Sequence, residues 1–242
     1  MRVVGIDSSS ATASAALIED SRLIAEHCYP GSTAGLTALK SNHAEILLPL
    51  IESVIAQARV TLAQVSGIAV AIGPGSFTGL RIGLSTVKGL AYGWRIPVVG
   101  VSTLLAQAAR VGDFDGVICV LLDARKNEVY AALFRKRQQE LTRLTEDFVA
   151  PAGSVIEHAR GAGSGMPCLF IGDGVRRYER LLLDALGGQA RLCAEDSVSS
   201  CAAAVARLGM ERLRRSETDD LGKLVPVYLR PSEAEAKRSN RI

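Results

Sequence analysis

The spacing of hydrophobic and polar residues predicts a regular succession of strands and helices in the first half of the chain. Val3–Asp7 is a short apolar run that ends in an acid, and residues 12–18 alternate as in a half-buried strand. Residues 23–29 continue as a third strand. Helices and strands then alternate at residues 42–58, 67–72, 78–94, 97–101 and 102–111, with Ser76 and Ser102 near two helix starts.

The second half repeats this order with little residue identity. Val117–Asp123 is again an apolar run that ends in an acid, and strands are predicted at residues 128–135 and 141–148. The remaining elements are predicted at residues 152–160, 168–171, 175–186, 191–193 and 199–215, with Ser197 or Ser199 capping the last helix. Each half therefore has the order β-β-β-α-β-α-β-α, and residues 224–229 are predicted to anchor an otherwise exposed tail.

A duplicated unit that begins with three meandering strands is typical of the actin-like, sugar-kinase and heat-shock ATPase (ASKHA) fold. We therefore predict a duplicated α/β fold with an N-terminal lobe at residues 1–111 and a C-terminal lobe with the tail at residues 112–242. The last helix could instead pack back on the N-terminal lobe. Length and composition agree with a globular protein, since 48% of the 242 residues are hydrophobic.

In that fold, the turn after the first strand of each lobe approaches a nucleotide phosphate. Hydroxyl side chains and backbone N–H groups after an acid suit this task because they can donate hydrogen bonds to an anion. The alternative is a polar turn that binds no ligand. The candidate residues of a nucleotide or anion cleft are Asp7, Ser8, Ser9, Asp123, Gly172 and Gly174.

The glycine-rich segment Gly73–Gly79 follows the fourth predicted strand, and three interpretations of it differ in function. It superficially resembles a dinucleotide-binding loop, but the next strand does not end in an acid that could bind a ribose. It is not a Walker loop, because no Gly-Lys-Ser/Thr ends it. The third interpretation is structural, since glycines permit a tight turn and a close approach to a neighbouring backbone.

Two helices of the first half carry more apolar or side-chain-poor surface than their own core requires. The apolar residues of helix 42–58 cover an arc of about 200°, whereas a surface helix needs little more than about 100°. Helix 78–94 has a face with almost no side chains, which could lie against its own sheet or against a second protein. The candidate partner interface comprises Ile46, Leu47, Leu50, Ile51, Val54, Gly79, Gly83, Thr86 and Leu90.

Charge and motif content exclude several function classes. The net charge of +3 is too small to indicate nucleic-acid binding by long-range attraction alone. No apolar run approaches the roughly 20 residues of a membrane span and no signal peptide is evident, so we expect a cytoplasmic protein without membrane contact. The five cysteines form no C-x-x-C pair and the three histidines are dispersed, so we expect no metal site and no catalytic residues.

Several segments together resemble one bacterial family, TsaB (also called YeaZ), along essentially the whole chain. The most specific is Gly-Pro-Gly-Ser-Phe-Thr-Gly-Leu-Arg-Ile-Gly at residues 73–83. The others are Met1–Ser9, Ser41–His43 with Leu48-Pro49, Val98–Thr103, Asp123–Arg125 with Glu128–Tyr130, and Pro226–Arg230. One small departure is Ser8, where the family pattern has Thr, and the hydroxyl group is kept.

The resemblance implies a non-catalytic subunit in the formation of the threonylcarbamoyl group on the tRNA adenosine beside the anticodon. It implies pairing with the catalytic relative TsaD, an additional ATPase TsaE, and contact with tRNA only through the complex. Because the candidate partner interface should pair with itself when the chain is alone, we also predict a homodimer. TsaD carries H-x-x-x-H for a metal, where this chain has Thr103 and Gln107. We expect no cofactor, with ATP binding in the assembled complex left open. The main alternative is a small ATPase or kinase of the same fold.

Overall fold

The chain folds around two β-sheets. The computed structural model describes residues 1–29, 43–163, 165–193 and 201–230. The strands are β1 (Arg2–Asp7), β2 (Ala13–Glu19), β3 (Arg22–Tyr29), β4 (Gly67–Gly73), β5 (Val98–Ser102), β6 (Gly116–Asp123), β7 (Glu128–Arg137), β8 (Glu140–Arg143), β9 (Phe148–Pro151), β10 (Cys168–Ile171) and β11 (Ala190–Cys193). The helices are α1 (His43–Gln57), α2 (Phe77–Trp94), α3 (Thr103–Ala109), α4 (Ala152–Ala162), α5 (Gly174–Leu186) and α6 (Ala202–Arg214).

The two sheets belong to separate compact units. The first unit contains Met1–Arg110 with Glu195–Pro226, and the second contains Val111–Ala194 with Val227–Ile242. The first sheet has the order β3-β2-β1-β4-β5, with β1 antiparallel to β2 and parallel to β4. The second has the order β11-β10-β6-β7-β8, and β9 also pairs with β7. The predicted repetition of three meandering strands followed by alternating helices and strands is therefore present in the structure.

Helices cover the first sheet on both faces. On one face Leu47, Ile51 and Val54 of α1 share a buried cluster with Leu84 and Val87 of α2. On the other face, residues of α6 and of alternate strand positions form a second cluster, among them Val3, Ala69, Val99, Val205 and Met210. Alternate residues of one strand thus enter different cores, as expected for strands buried on both faces. Helix α6 follows the second sheet in the chain but packs on the first.

Serine caps begin two helices of the first unit, as their sequences predict. The Ser76 hydroxyl accepts a hydrogen bond from the Gly79 amide at 3.2 Å, and Ser102 does the same for Leu105 at 3.2 Å. Helix α2 ends where Arg95 adopts a left-handed conformation with φ of 55°. These caps fix where α2 and α3 leave the ends of β4 and β5.

The second unit has its own buried core. Val155 and Ile156 of α4 and Val175 and Leu182 of α5 pack with strand residues such as Phe170. Strand β6 lies between antiparallel β7 and parallel β10. Its last residue, Asp123, therefore stands beside the end of β10, as parallel strands present their carboxyl ends at one edge.

Three local predictions differ from the structure. The predicted strand at 141–148 is divided into β8 and β9, and between them the amides of Leu144 and Thr145 both donate to the Leu133 carbonyl. The last helix begins at Ala202, directly after Cys201, and the predicted caps Ser197 and Ser199 lie outside the described residues. The predicted anchor at 224–229 is reduced to Leu224, since Val225 is 61% exposed. None of the helices described here has the length and apolar character needed to cross a membrane.

Candidate functional site

The turn after β1 is buried, and its polar groups are used within the chain. Asp7 and Ser9 are each 4% exposed and Ser8 is fully buried. The Ser8 hydroxyl donates to the Gly79 carbonyl at 2.9 Å, and the Ser9 amide donates to the Asp7 carboxylate at 2.9 Å. The Ser9 carbonyl accepts from the Ser76 amide at 2.6 Å. The turn therefore binds the start of α2 rather than presenting these donors to a ligand.

Glycines of the 73–83 segment make this contact possible. A Cβ atom at Gly79 would overlap the carbonyl oxygen of Ser8, and one at Gly83 would overlap the Ser8 hydroxyl. A Cβ atom at Gly75 would overlap the Ser9 carbonyl in the same way. The close approach predicted for these glycines is thus a contact inside the first unit. The prediction that Gly79 and Gly83 form a partner interface is wrong, because their open side is filled by the β1–β2 turn.

The same geometry corrects the predicted anion cleft in the first unit. An anion needs donors that are free and accessible, whereas the Ser8 hydroxyl and Ser9 amide have partners and the turn is buried. Burial raises the pKa of Asp7, and the nearby charges of His43 and Arg110 offset part of that rise. Asp7 is therefore a buried acid that anchors its own turn.

Thr103 and Gln107 are the positions where the resemblance places the lost metal ligands. Thr103 is buried in the first turn of α3, and its hydroxyl has no hydrogen-bond partner among the described residues. The Gln107 side chain accepts from Arg110 at 2.9 Å. Burial raises the pKa of the nearby Cys201 thiol to about 12, so it carries no thiolate at neutral pH. Within the described ranges, no three His, Cys, Asp or Glu side chains are grouped so as to hold a metal ion.

The predicted interface on α1 is divided between core and surface. Leu47, Ile51 and Val54 are at most 2% exposed and belong to the core against the first sheet. Their assignment to a partner interface is therefore wrong, because the sheet already covers them. Ile46 and Leu50 are half-buried, and Leu48 is 42% exposed.

Helix α2 also leaves apolar side chains at the surface. Ile82, Thr86 and Leu90, which recur every fourth residue on one side of the helix, are half-buried. Tyr92 is 84% exposed and Trp94 is 53% exposed. From the apolar residues that α1 and α2 leave half-buried or exposed, we define a set that we call the outer helix face: Ile46, Leu48, Leu50, Ile82, Leu90, Tyr92 and Trp94, with Thr86. At about 100° per residue, these residues occupy more than one side of each helix.

In the second unit, the corresponding glycines also serve packing. A Cβ atom at Gly172 would overlap the Leu121 carbonyl oxygen, and one at Gly174 would lie 3.0 Å from it. These contacts explain why both positions need glycine, and the assignment of Gly172 and Gly174 to an anion cleft stays a prediction. Asp123, by contrast, is exposed, and its backbone amide donates a hydrogen bond to the Asp173 carboxylate at 2.8 Å.

Basic side chains beside Asp123 were missed by the sequence analysis. Arg177 lies 3.6 Å from the Asp123 carboxylate and donates to the Asn127 side chain at 2.7 Å. Arg230 donates to the carbonyl of Ala124 at 3.1 Å. The adjacent basic pairs at 125–126 and 176–177 were the available signal, but only the fold brings them to one edge of the sheet.

Comparison with protein families and with curated relatives gives a consistent result. The family model for TsaD, tRNA N6-adenosine threonylcarbamoyltransferase, matches residues 19–238. The chain is 32% identical over 237 residues to the tRNA threonylcarbamoyladenosine biosynthesis protein TsaB of Bacillus subtilis, covering 98% of this chain and 97% of that protein. It is 33% identical over 138 residues to the Escherichia coli protein of the same name, covering 56% of each.

Solved structures agree on the fold. YeaZ from Pseudomonas aeruginosa superposes with a TM-score of 0.77 at 27% identity, covering 94% of this chain and 99% of that one. An inorganic polyphosphate/ATP-glucomannokinase from Arthrobacter superposes with a TM-score of 0.53 at 13% identity, covering 88% and 99%. The second likeness concerns the fold alone, and it confirms the predicted actin-like and sugar-kinase class.

Proposed function

This chain belongs to the TsaB (YeaZ) family, and we propose that it is the accessory, non-catalytic subunit of a TsaD-dependent enzyme that forms threonylcarbamoyladenosine on tRNA. The observation that carries the proposal is the match to a TsaB protein over nearly the full length of both chains. The relatives are named as biosynthesis proteins, so involvement in this modification is the part with the firmest support. The accessory role and its surfaces are our inference.

The first unit supports a role without nucleotide chemistry of its own. A phosphate-binding turn in this fold would expose its donors, but the β1–β2 turn is buried under α2 and hydrogen-bonded to it. Thr103 and Gln107 are also poor metal ligands compared with histidine. We therefore propose that transfer chemistry belongs to the TsaD partner and that any ATP binding belongs to the assembled complex.

The outer helix face is the proposed docking surface for TsaD. Buried interface centres are rich in aromatic and aliphatic side chains, and this face offers Leu48, Tyr92 and Trp94 at 42%, 84% and 53% exposure. Partly buried Ile46, Leu50 and Leu90 would lose their remaining contact with water on docking. Alone, the same surface would pair with a second copy of the chain, which predicts a homodimer. A TsaE-like ATPase would join this complex. The complex would act in the cytoplasm, where the tRNA substrate of the complex is found.

Reconstitution of the modification with one component left out tests the function. The mixture would contain TsaD, TsaE, the enzyme that makes threonylcarbamoyl-adenylate, unmodified tRNA and this chain. We expect modified adenosine with the chain and only background without it. Equal product in its absence would contradict the proposal. Calorimetry with ATP tests the alternative, because micromolar binding and turnover by the isolated chain would favour a small ATPase or kinase.

A further inference from the structure

The turn between β6 and β7 is strained, and the side chains at its tip are exposed. Arg125, Lys126 and Asn127 are three consecutive residues in the left-handed region, with φ of 59°, 51° and 62°. For most non-glycine residues that region is unfavourable, because the Cβ atom comes too close to the following carbonyl oxygen. All three side chains are exposed. Such a conformation persists only where the surrounding structure holds it.

Hydrogen bonds from several directions hold this turn. The Arg125 amide donates to the Asp123 carboxylate at 2.8 Å, and the Glu128 amide donates to the Arg125 carbonyl at 3.0 Å. The Ala124 amide donates to the Glu128 carbonyl at 3.0 Å. From the end of the described chain, Arg230 donates to the Ala124 carbonyl at 3.1 Å. The tip is therefore held in one conformation although it is exposed.

Acidic side chains near the tip already have cationic partners. Arg177 lies 3.6 Å from Asp123, and Arg230 forms an ion pair with Glu128. These pairs balance the charge at the base of the turn. The third carboxylate, Asp173, accepts from the Asp123 amide, and burial raises its pKa.

The positive charges of Arg125 and Lys126 have no such partners among the described residues, since neither side chain forms an ion pair there. Arg176 adds a further exposed guanidinium from the first turn of α5, next to Arg177. We call Arg125 and Lys126 the basic tip. Its exposed residues are all polar, so nothing at the tip resembles the apolar anchor of a protein interface or of a membrane-inserted loop.

We propose that the basic tip is a direct contact site for the phosphate backbone of RNA, and specifically of the tRNA substrate. The proposal rests on the proposed function and changes one part of it, since tRNA would then touch this chain and not only its partner. Guanidinium and ammonium groups bind phosphate oxygens, and such contacts position nucleic acid without reading its sequence. A turn that is already held in one conformation suits this role, because its backbone loses little conformational entropy when it binds.

Removal of two charges from the tip, compared with removal of two elsewhere, tests the proposal. The test variant is Arg125→Gln/Lys126→Gln, which leaves the supporting residues Arg177 and Arg230 intact. The matched control is Arg137→Gln/Arg191→Gln. Both control residues are exposed in the same unit but lie at the opposite edge of the second sheet. Binding to unmodified tRNA would be titrated from about 0.05 to 0.3 M salt, with the full chain alone and in complex with TsaD.

We expect the test variant to bind tRNA about tenfold more weakly at 0.1 M salt and to reduce the slope of log affinity against log salt by about 1 to 2. The control should stay within about twofold of the wild type. Association with TsaD, measured on the same preparations, should be unchanged in both, and Arg125→Lys should bind tRNA nearly as the wild type does because it retains the charge.

Three results would overturn the proposal. Equal loss in test and control variants would mean that net charge alone matters. Unchanged tRNA binding with lost association to TsaD or TsaE would assign the tip to a protein partner. Wild-type chain that binds no tRNA, alone or in the complex, would also reject the contact. A wild-type chain that binds tRNA through the tip but does not associate with TsaD would reject the proposed function and leave the tip supported.

Discussion

The turns that follow β1 and β6 have the same place in the two units but opposite surroundings. Each follows a strand that ends in aspartate. In the first unit the turn is buried at Asp7–Ser9 and fixed to α2. In the second unit the turn at Arg125–Asn127 is exposed, basic and held in a left-handed conformation. A repeated architecture therefore does not imply a repeated site, because one turn is buried against a helix and the other is exposed.

Glycines show how each turn obtains its surroundings. In the first unit Gly79 allows the helix backbone to touch the turn. In the second unit the turn has no glycine, although all three tip residues adopt a conformation that favours it. Three predictions use this contrast, in order of decreasing expected effect.

Addition of one methyl group at Gly79 should damage the first unit severely. In Gly79→Ala the new Cβ atom would overlap the Ser8 carbonyl oxygen, so the helix or the turn must move. We expect a loss of about 3 kcal/mol in the free energy of unfolding, measured with urea. The matched control is Gly89→Ala on the same helix, where nothing lies within 4 Å and helix propensity should add about 0.5–1 kcal/mol. Equal stability of the two variants would show that the turn is not tightly packed.

Neutralisation of Asp7 should stabilise the chain in a pH-dependent way. Burial raises the pKa of Asp7 in the folded state, so the folded protein binds this proton more tightly than the unfolded protein does. The free energy of unfolding of the wild type therefore falls as the pH rises from 3.8, the ordinary pKa of this carboxyl group, through the raised pKa of Asp7. Asp7→Asn avoids this loss and can still accept from the Ser9 amide.

The thermal midpoint of Asp7→Asn should thus exceed that of the wild type at pH 7, and the difference should shrink toward pH 4. Ser9→Ala should strengthen the pH dependence, because it leaves the carboxyl group in place and removes the Ser9 side-chain hydrogen bond that lowers the pKa of Asp7. If the wild type were more stable than Asp7→Asn at pH 7, the folded protein would favour the ionised carboxylate of Asp7. That result would contradict the prediction that burial disfavours it.

Substitution of glycine into the exposed turn should change the free energy of unfolding least, and should raise it where Gly79→Ala lowers it. In Lys126→Gly the left-handed conformation with φ of 51° no longer carries a Cβ atom. We expect a gain of about 0.5–1 kcal/mol in the free energy of unfolding, reduced by the greater freedom of glycine in the unfolded chain. Lys126→Ala removes the same charge but keeps the Cβ atom, so its stability should equal that of the wild type. A gain in Lys126→Ala as large as in Lys126→Gly would show that charge, and not backbone strain, limits stability there.

Local sequence signals predicted much of the fold. The pattern of hydrophobic and polar residues predicted the strands of both sheets. Ser76 and Ser102 indicated two helix starts, because their hydroxyl groups cap the first turn. The glycine segment was located correctly, and its capacity for close approach followed from the absence of side chains. The backbone that these glycines approach could not be predicted, because Ser8 lies 71 residues from Gly79 and only the folded sheet brings them together.

The second unit shows the same limit for charged residues. No Asn-Gly or Asp-Gly pair indicates the left-handed turn at Arg125–Asn127, and its supporting bonds come from Arg177, 50 residues from Asn127, and Arg230, 106 residues from Ala124. Amphipathic analysis of α1 likewise found an apolar arc but could not say which part the sheet covers. Leu47 and Leu48 are adjacent, yet one is fully buried and the other 42% exposed.

The central claim is that this chain docks on TsaD through the outer helix face. Sedimentation velocity of mixtures with TsaD, using wild type, Leu48→Arg and the control Leu181→Arg, tests it most directly. Leu181 is 46% exposed on α5 of the second unit, so the two substitutions are matched in residue type and exposure. We expect the complex to form with wild type and Leu181→Arg and to weaken at least tenfold with Leu48→Arg, each variant being folded. Complex formation that is equal in all three, or lost only in Leu181→Arg, would contradict the claim.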